Sequence, residues 1–595
     1  MNVLGISGLD NSVPFKKREF PRLSSRHYRI AQGFDSAAAL VTSEGIQAAA
    51  AEERFTRERA TGSFPINAIR YCLEAGDVTA HGIDYIAHGF SYEPLKSFYE
   101  QDEFLRKEFV EVYSRAAQIN CAQRHLPSWD WNKKLVPVAH HTAHAASAFY
   151  LSGFNECLIF VSDGMGECHS ATVAVGRGNE IQTIKQFPGM HSLGILYGVF
   201  TLYLGFYMGL DEYKVMGLAA YGNPRRFFTK LMDLVHLKND GTYEIPVLLQ
   251  NRSLEEKQTY AGTIRLMTER FGLPREPESG ITQTHMDIAA ALQAVLQTSV
   301  MHVLRYFKKE TDQSYLCMAG GVALNCSVNG ALHRSRIFKN MFVQPAAGDD
   351  GSALGAALYV QRVHEPTVAA RKMSVPLWGP EYGNEVISTL LSVRQDCLAT
   401  SFDSFDEAVK ELAKRLVQGQ IIGWFQGRME FGPRALGSRS ILADPRDFEM
   451  RDRINRMVKK REEFRPFAPA VTAETAARYF DIGEGDESTY AHMLFVAQVR
   501  TQYQKQLPAV THVDGSARIQ TVTKEEQTRF WMLLDEFGKL TGLPILLNTS
   551  FNLRGQPIVC TPREAIDTFL TAQLDALMIG DQLVIPTAKS CRNSI

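Results

Sequence analysis

Short apolar runs alternate with amphipathic stretches through most of this chain, and that alternation predicts an α/β protein. Val3 to Ser7, Ala37 to Thr42 and Ile46 to Ala51 read as strands, the last two joined by a tight Ser43-Glu44-Gly45 turn. Pro65 then opens a helix with Ile66, Ile69, Tyr71 and Leu73 as apolar positions, ending near Gly76. Tyr85 to Gly89 and Val136 to His140 are further strands. Leu158 to Ser162 and Ala171 to Val175 begin a second copy of the pattern. It continues with a long helix, Met286 to Phe307, buried strands at Leu316 to Met318 and Met341 to Gln344, and a helix from about Ser352 to Val363.

Residues 10 to 33 interrupt the first hairpin and are polar and basic, with Lys16, Lys17, Arg18, Arg22, Arg26 and Arg29. They read as an inserted loop, either a solvated excursion or a lid over an active site. Ser192 to Leu210 is uncharged and long enough to span a bilayer, but its four glycines favour buried core, so no membrane association is expected. Pro366, Pro376, Pro380 and Gly383 mark 366–400 as a linker. Beyond it, helices at Phe405 to Gln418, Phe530 to Leu540 and Pro562 to Thr571, with strands at Ile421 to Phe425 and Pro544 to Leu547, predict a separate α/β domain over 401–595. The first 365 residues hold two three-strand-plus-helix halves meeting at glycine loops. A duplicated ribonuclease-H-like ATPase core would look like this, as would several other α/β arrangements.

The 595 residues are 45% hydrophobic and 22% charged, ordinary for a globular chain able to bury large cores. A net charge of −1 and a pI of about 7.0 argue against a dedicated nucleic-acid or membrane-surface binder. The nine cysteines are scattered and form no C-x-x-C pair, which disfavours a zinc ribbon or disulfide framework and fits a reducing cytoplasm. The first residues carry no signal-peptide pattern, and a cytoplasmic location is the expectation.

Candidate chemistry starts at His140-His141-Thr142-Ala143-His144. On a helix, His140 and His144 share one face and make half of a metal site. One carboxylate would complete a two-His, one-carboxylate set, which suits ferrous iron and also zinc. Asp163 and Asp349, each read at a strand end, are the candidates, and the neighbouring Asp350 leaves the second choice open. Asp163-Gly164-Met165-Gly166 and Ala319-Gly320-Gly321-Val322-Ala323-Leu324-Asn325 read as phosphate-type loops, in which glycines let backbone N–H groups approach an anion. Lys214 is a phosphate or structural contact. In the second domain, Arg434 and Arg439 lie among glycine and proline, and Lys459 and Arg465 follow. Such forks and point charges suit compact phosphorylated anions. Asn548 and Ser550 follow a strand, at a binding-loop or turn position.

Together these motifs resemble the O-carbamoyltransferase family that includes the nodulation-factor, cephalosporin, novobiocin and tobramycin enzymes. The resemblance covers nearly the whole chain. It rests on His140 to Ala148, Tyr213-Lys214-Val215-Met216-Gly217-Leu218-Ala219, Gly432-Pro433-Arg434-Ala435-Leu436-Gly437, Arg465-Pro466-Phe467-Ala468-Pro469 and Leu547-Asn548-Thr549-Ser550-Phe551-Asn552, in order. It implies a ribonuclease-H-like N-terminal domain, related to the threonylcarbamoyl transferases, and a YrdC-like C-terminal domain. The latter would form carbamoyl adenylate from carbamoyl phosphate and Mg-ATP, using Lys459, Arg465 and Ser550, with Arg518 as a further candidate. The former would bind carbamoyl adenylate at iron held by His140, His144, Asp163 and Asp349, and a small-molecule hydroxyl acceptor would displace AMP. Family members often carry His-Asp where this chain has Phe34-Asp35. Asp35, or His27 in the insertion, would then assist the acceptor.

Two other readings stay open: a nucleotide-binding regulator on the same scaffold, and a tRNA or hydrogenase-maturation carbamoylation factor. The neutral pI speaks against tRNA, and the missing C-x-x-C motifs speak against the maturation factor. A homodimer is carried as an expectation, since interfaces in such folds are common.

Overall fold

The computed structural model describes residues 1–366, 372–459, 462, 464–483 and 485–587. Lys460, Arg461, Cys591 and part of the expected linker lie outside the described residues. The chain forms two compact units, Met1–Phe55 with Ala60–Met373, and Thr56–Arg59 with Ser374–Ile595.

In unit 1, β1 (Val3–Ile6), β2 (Ala37–Thr42), β3 (Gly45–Ala51), β4 (Tyr85–His88) and β5 (Leu135–Pro137) form one sheet in the order β3-β2-β1-β4-β5. β1 runs antiparallel to β2 and parallel to β4, and β4 runs parallel to β5. Downstream, β6 (Glu156–Gly166), β7 (His169–Arg177) and β8 (Glu180–Pro188) form a meander, followed by the small ribbon β9 (His236–Leu237) and β10 (Tyr243–Glu244). With β11 (Tyr315–Ala319) and β12 (Asn340–Val343) the meander makes a second sheet, β12-β11-β6-β7-β8. Strand for strand this repeats the first, so the duplication expected of a ribonuclease-H-like core is present. Each fifth strand leads to a helix, His140–Ser152 in the first copy and Asp349–His364 in the second, and these two pack on each other. Their small residues permit the approach: a Cβ at Gly355 would sit 1.8 Å from the Ala143 carbonyl oxygen.

Two expectations need correction and a third is met. Residues 10–33 are not a plain loop but fold as helices Ser12–Glu19 and Ser25–Tyr28, and Phe15 joins a buried aromatic cluster with Phe90, Tyr92, Tyr99 and Tyr113. The uncharged stretch from Ser192, expected as buried core, is one: it forms an 11-residue buried helix, Leu193–Tyr203. The helix Gln283–Thr311 is long and apolar enough to cross a membrane by length and composition, but its apolar window is 72% buried within the protein. The stretch read as linker carries a helix, Asn384–Ser392, and a paired strand, β13 (Cys397–Ser401).

Unit 2 is built on eight strands: β13, β14 (Ile422–Phe425), β15 (Arg439–Ala443), β16 (Ala468–Thr472), β19 (Gln520–Val522), β20 (Ile545–Ser550), β21 (Ala576–Ile579) and β22 (Gln582–Pro586). Their order is β13-β22-β21-β14-β15-β20-β16-β19, and β17 (Val496–Gln498) pairs with β18 (Ser516–Arg518) apart from them. The helices Phe405–Val417 and Thr528–Thr541 bury apolar stripes, including Leu412, Leu416, Leu533 and Phe537, against this sheet.

Candidate active sites

In unit 1, His140 and His144 project from the first turns of their helix and are fully buried. Asp163 sits on β6, where the ladder with β7 is interrupted between Ser162 and Gly166. Asp349 is the first residue of its helix rather than the end of a strand. One ligand atom from each of the four lies within 4.8 Å of the others. His140 Nε2 is 3.1 Å from Asp163 Oδ2 and 3.3 Å from Asp349 Oδ1, and His144 Nε2 is 3.5 and 3.6 Å from the same atoms.

Neighbours fix each donor. His140 Nδ1 lies 2.9 Å from the Gly89 carbonyl, which places a proton on Nδ1 and leaves the Nε2 lone pair for the cluster. Glu167 accepts from the His140 and Ser91 backbone N–H groups at 2.9 and 2.8 Å. Phe90 stacks on the His140 ring at 4.2 Å. Asp163 divides its oxygens: Oδ1 accepts from the Gly164 and Gly321 N–H groups at 2.7 and 3.2 Å, while Oδ2 faces the imidazoles. Gly166 is required here, since a Cβ would lie 2.5 Å from His140 Cδ2.

Burial opposes charge on all four groups, yet the Asp349 and Asp163 carboxylates raise the His140 pKa well above its ordinary value. Burial likewise opposes ionisation of Asp163, but His140 and His144 hold its carboxyl well below the usual range. Such a pocket demands positive charge. Two imidazole nitrogens and two carboxylate oxygens converging on one point fit a divalent metal.

The other expected residues of unit 1 divide. Gly164 and Gly166 belong to the β6–β7 hairpin, not to a strand-to-helix phosphate loop. Gly320 and Gly321 do lead from β11 through a tight turn to the helix Cys326–Arg334, with Gly320 at φ +88°. Asn325 caps that helix, accepting from the Val328 N–H at 3.1 Å, and exchanges hydrogen bonds with Gln293, so its buried amide is structural. Lys214 pairs with Asp211 at 3.1 Å. Asp35 is in the left-handed region at φ 54°, and a Cβ at Gly348 would lie 3.7 Å from its Oδ2. Burial, with Asp350, Glu53 and Asp349 nearby, pushes its pKa well up, which suits a hydrogen-bond donor better than a base. His27 Nδ1 meets Ser24 Oγ at 3.0 Å, and His27 is not among the residues gathered at the cluster.

In unit 2, Lys459 and Ser550 come together. Lys459 Nζ donates to Ser550 O at 2.5 Å, to Asn552 O at 3.1 Å and to Asn552 Oδ1 at 2.7 Å. Ser550 Oγ donates to Asn552 Oδ1 at 2.7 Å, which adds Asn552 to the set. Arg465 pairs with Glu462 at 3.7 Å, Arg434 lies partly exposed between β14 and β15, and Arg518 lies on β18.

Two expected anion ligands are instead core residues. Arg439 is fully buried on β15; its Nη atoms donate to the Gln426, Ser438 and Pro380 carbonyls at 2.9, 3.1 and 2.8 Å, and its guanidinium stacks on Phe425. Asn548 is buried and donates to Gln520 Oε1 at 2.8 Å. Sequence reasoning missed Glu430, whose buried Oε1 accepts from the N–H groups of Leu436, Ser438 and Arg439 at 2.8, 2.7 and 3.1 Å. It shapes the loop that carries Arg434. The available signal was a lone acid directly before Phe431-Gly432-Pro433.

Comparison with known proteins adds a second line of observation. The carbamoyltransferase N-terminus family model matches residues 30–358, and the carbamoyltransferase C-terminus model matches residues 413–585. Nodulation protein NolNO of Sinorhizobium fredii is 40% identical, over 92% of this chain and 78% of that protein. Nodulation protein NolO of Bradyrhizobium diazoefficiens is 43% identical, over 75% and 78% respectively. The Synechocystis protein sll1178 is 39% identical, over 94% and 96%.

Proposed function

The chain belongs to the carbamoyltransferase family, and from that premise we propose that it is an ATP-dependent O-carbamoyltransferase whose two units divide the work. Unit 2, read as YrdC-like, takes carbamoyl phosphate, ATP and water to carbamoyl adenylate, phosphate and pyrophosphate. Carbamoyl phosphate first loses phosphate to water. The carbamate oxygen then attacks the α-phosphorus of Mg-ATP, and pyrophosphate leaves. The Lys459 ammonium, positioned by Ser550 and Asn552, supplies fixed positive charge for these anions, with Arg434, Arg465 and Arg518 as further cations.

Unit 1 takes the second step. The acceptor hydroxyl oxygen attacks the carbamoyl carbon, the carbon–oxygen bond to AMP breaks, and the hydroxyl proton is lost. Adenylation is needed because carbamate is a poor electrophile with a poor leaving group. His140, His144, Asp163 and Asp349 would hold iron or another divalent metal such as zinc, which supplies Lewis acidity toward a carbonyl or phosphate oxygen. Gly320 and Gly321 offer backbone N–H groups to the nucleotide phosphate. Asp35 orients the acceptor by donating a hydrogen bond. The acceptor is a small molecule, a natural product or sugar.

The observation that carries this reading is the buried convergence of two imidazoles and two carboxylates in a chain that separately buries a lysine amine against Ser550 and Asn552. The test is pyrophosphate release by the full chain with Mg-ATP, with and without carbamoyl phosphate. Release should require carbamoyl phosphate and fall at least about a hundredfold in Lys459→Ala, as expected for loss of a fixed charge at a reacting phosphate. Release that ignores carbamoyl phosphate would overturn the reading and favour the nucleotide-binding regulator.

A further inference from the structure

A second group of metal-type donors lies in unit 1, away from the four residues above. The helix Arg115–His125 presents Cys121 and His125 four residues apart, on one face of its last turn. Asp10, in the turn between β1 and the helix Ser12–Glu19, reaches the same point. One thiol, one imidazole nitrogen and one carboxylate oxygen gather within 4.8 Å of one another. Cys121 Sγ is 3.3 Å from Asp10 Oδ2, and His125 Nε2 is 3.6 Å from the same oxygen.

Both separations lie within about 0.3 Å of the spacings in tetrahedral zinc. With Zn–S, Zn–N and Zn–O bonds of about 2.3, 2.05 and 2.1 Å, ligand atoms at tetrahedral angles stand roughly 3.4–3.6 Å apart. The side chains are also held. Cys121 is buried, and the His125 ring stacks on Phe64 at 4.8 Å and 8°. Among the described residues Arg124 comes within 4.0 Å of Asp10 Oδ2 and donates to Asn11 Oδ1, and its side chain, 61% exposed, has room to turn outward. A thiolate, an imidazole and a carboxylate are a mixed set that suits zinc better than magnesium or calcium.

We infer that Asp10, Cys121 and His125 bind Zn2+, with water completing the shell. On binding, the Cys121 thiol gives its proton to solvent and the sulfur becomes a thiolate ligand. The ion ties the root of the 10–33 segment to the end of the helix Arg115–His125. It is therefore a clamp on that segment, independent of the carbamoyl-transfer reading.

The test uses full-length protein stripped with a chelator and titrated with Co2+ alone. A thiolate-to-cobalt charge-transfer band should appear, remain in Cys168→Ser (Cys168 lies 3.6 Å from His169 Nδ1) and vanish in Cys121→Ser. Zinc content should fall by one equivalent per chain in Cys121→Ser and His125→Gln, while His144→Ala keeps the band. Should Cys121→Ser fail to fold, His125→Gln, altered at a partly exposed helix end, must weaken Co2+ binding at least about tenfold, at the low end of what losing a metal-site contact costs. No band in the wild-type chain, or a band untouched by both variants, overturns the assignment.

Discussion

Gly355→Ala tests how the fold builds the four-residue cluster. Gly355 lies where the helices Asp349–His364 and His140–Ser152 touch, and an added Cβ would stand 1.8 Å from the Ala143 carbonyl oxygen and 3.0 Å from Ser147 Cβ. Ordinary contact begins at 3.4 Å, so the two helices must open by about 1.6 Å at that point. Ala143 directly precedes His144, and Asp349 is six residues from Gly355, roughly 9 Å along the axis. Metal–ligand distances tolerate only about ±0.2 Å. Even if tilting absorbs most of the opening, Asp349 is carried out of reach of His140 and His144. The expected result is a stability loss of about 1–3 kcal/mol, with metal affinity weakened at least about tenfold. Metal titration of the stripped protein, with Tm recorded before and after loading, reads both effects. Gly280→Ala is the control, because nothing lies within 4 Å of a Cβ there. If Gly355→Ala loads metal with wild-type affinity and gains the wild-type Tm increment, the argument that helix contact sets the site is wrong.

Arg439→Lys separates a structural from a substrate role. An ammonium cannot reproduce the planar fork that reaches three carbonyls and stacks on Phe425, so unfolding by denaturant should move by about 3–5 kcal/mol. A raised KM for carbamoyl phosphate at unchanged stability would return Arg439 to the substrate site. Glu108 makes a pH-dependent contribution: burial pushes its pKa from 4.5 up to about 7, against the opposing Tyr113 hydroxyl and Lys16 charge. A raised folded-state value means that its favourable share is fully present below the unfolded pKa and is lost as pH rises through the folded one. Between about pH 5 and pH 8 the wild type should lose up to ~3 kcal/mol relative to Glu108→Gln. Parallel pH–stability curves for the two proteins would refute this.

How far the site could be read from sequence depends on how far apart its parts lie in the chain. His140 and His144 are four residues apart on one helix, so local periodicity pairs them directly. Lys459 and Ser550 were read separately, one in a cationic stretch and one after a strand; only the resemblance put them in one site, and their contact depends on the end of β20 carrying Ser550 to the Lys459 amine. Between Asp349 and Asp350 the sequence offers no choice. The structure does, because successive helical residues point about 100° apart: Asp349 faces the imidazoles, while Asp350 accepts from its neighbour Gly351 at 2.9 Å. Arg439 was misread because a charged residue among glycines suggests an exposed loop. Its strand, Arg439–Ala443, is buried at every position, and backbone carbonyls satisfy the charge. For Gly164 and Gly166 the sequence leaves the following element open, because a strand ending in glycine looks the same whether a helix or a hairpin follows; here a hairpin does.

Duplication explains the rest of the cluster. His140 and Asp349 are each the first residue of a helix that follows the fifth strand of its copy. Packing equivalent helices against each other brings these two first residues together, although more than two hundred positions separate them in the chain. Two helix N-termini bring positive potential to that point, which by itself would repel a cation. The carboxylates of Asp163 and Asp349 must outweigh it, and they do: they raise the His140 pKa well above normal despite complete burial. The second copy of the fold therefore contributes more than a repeated scaffold. It supplies the carboxylates that, beside the imidazoles of the first, give the site its demand for a cation.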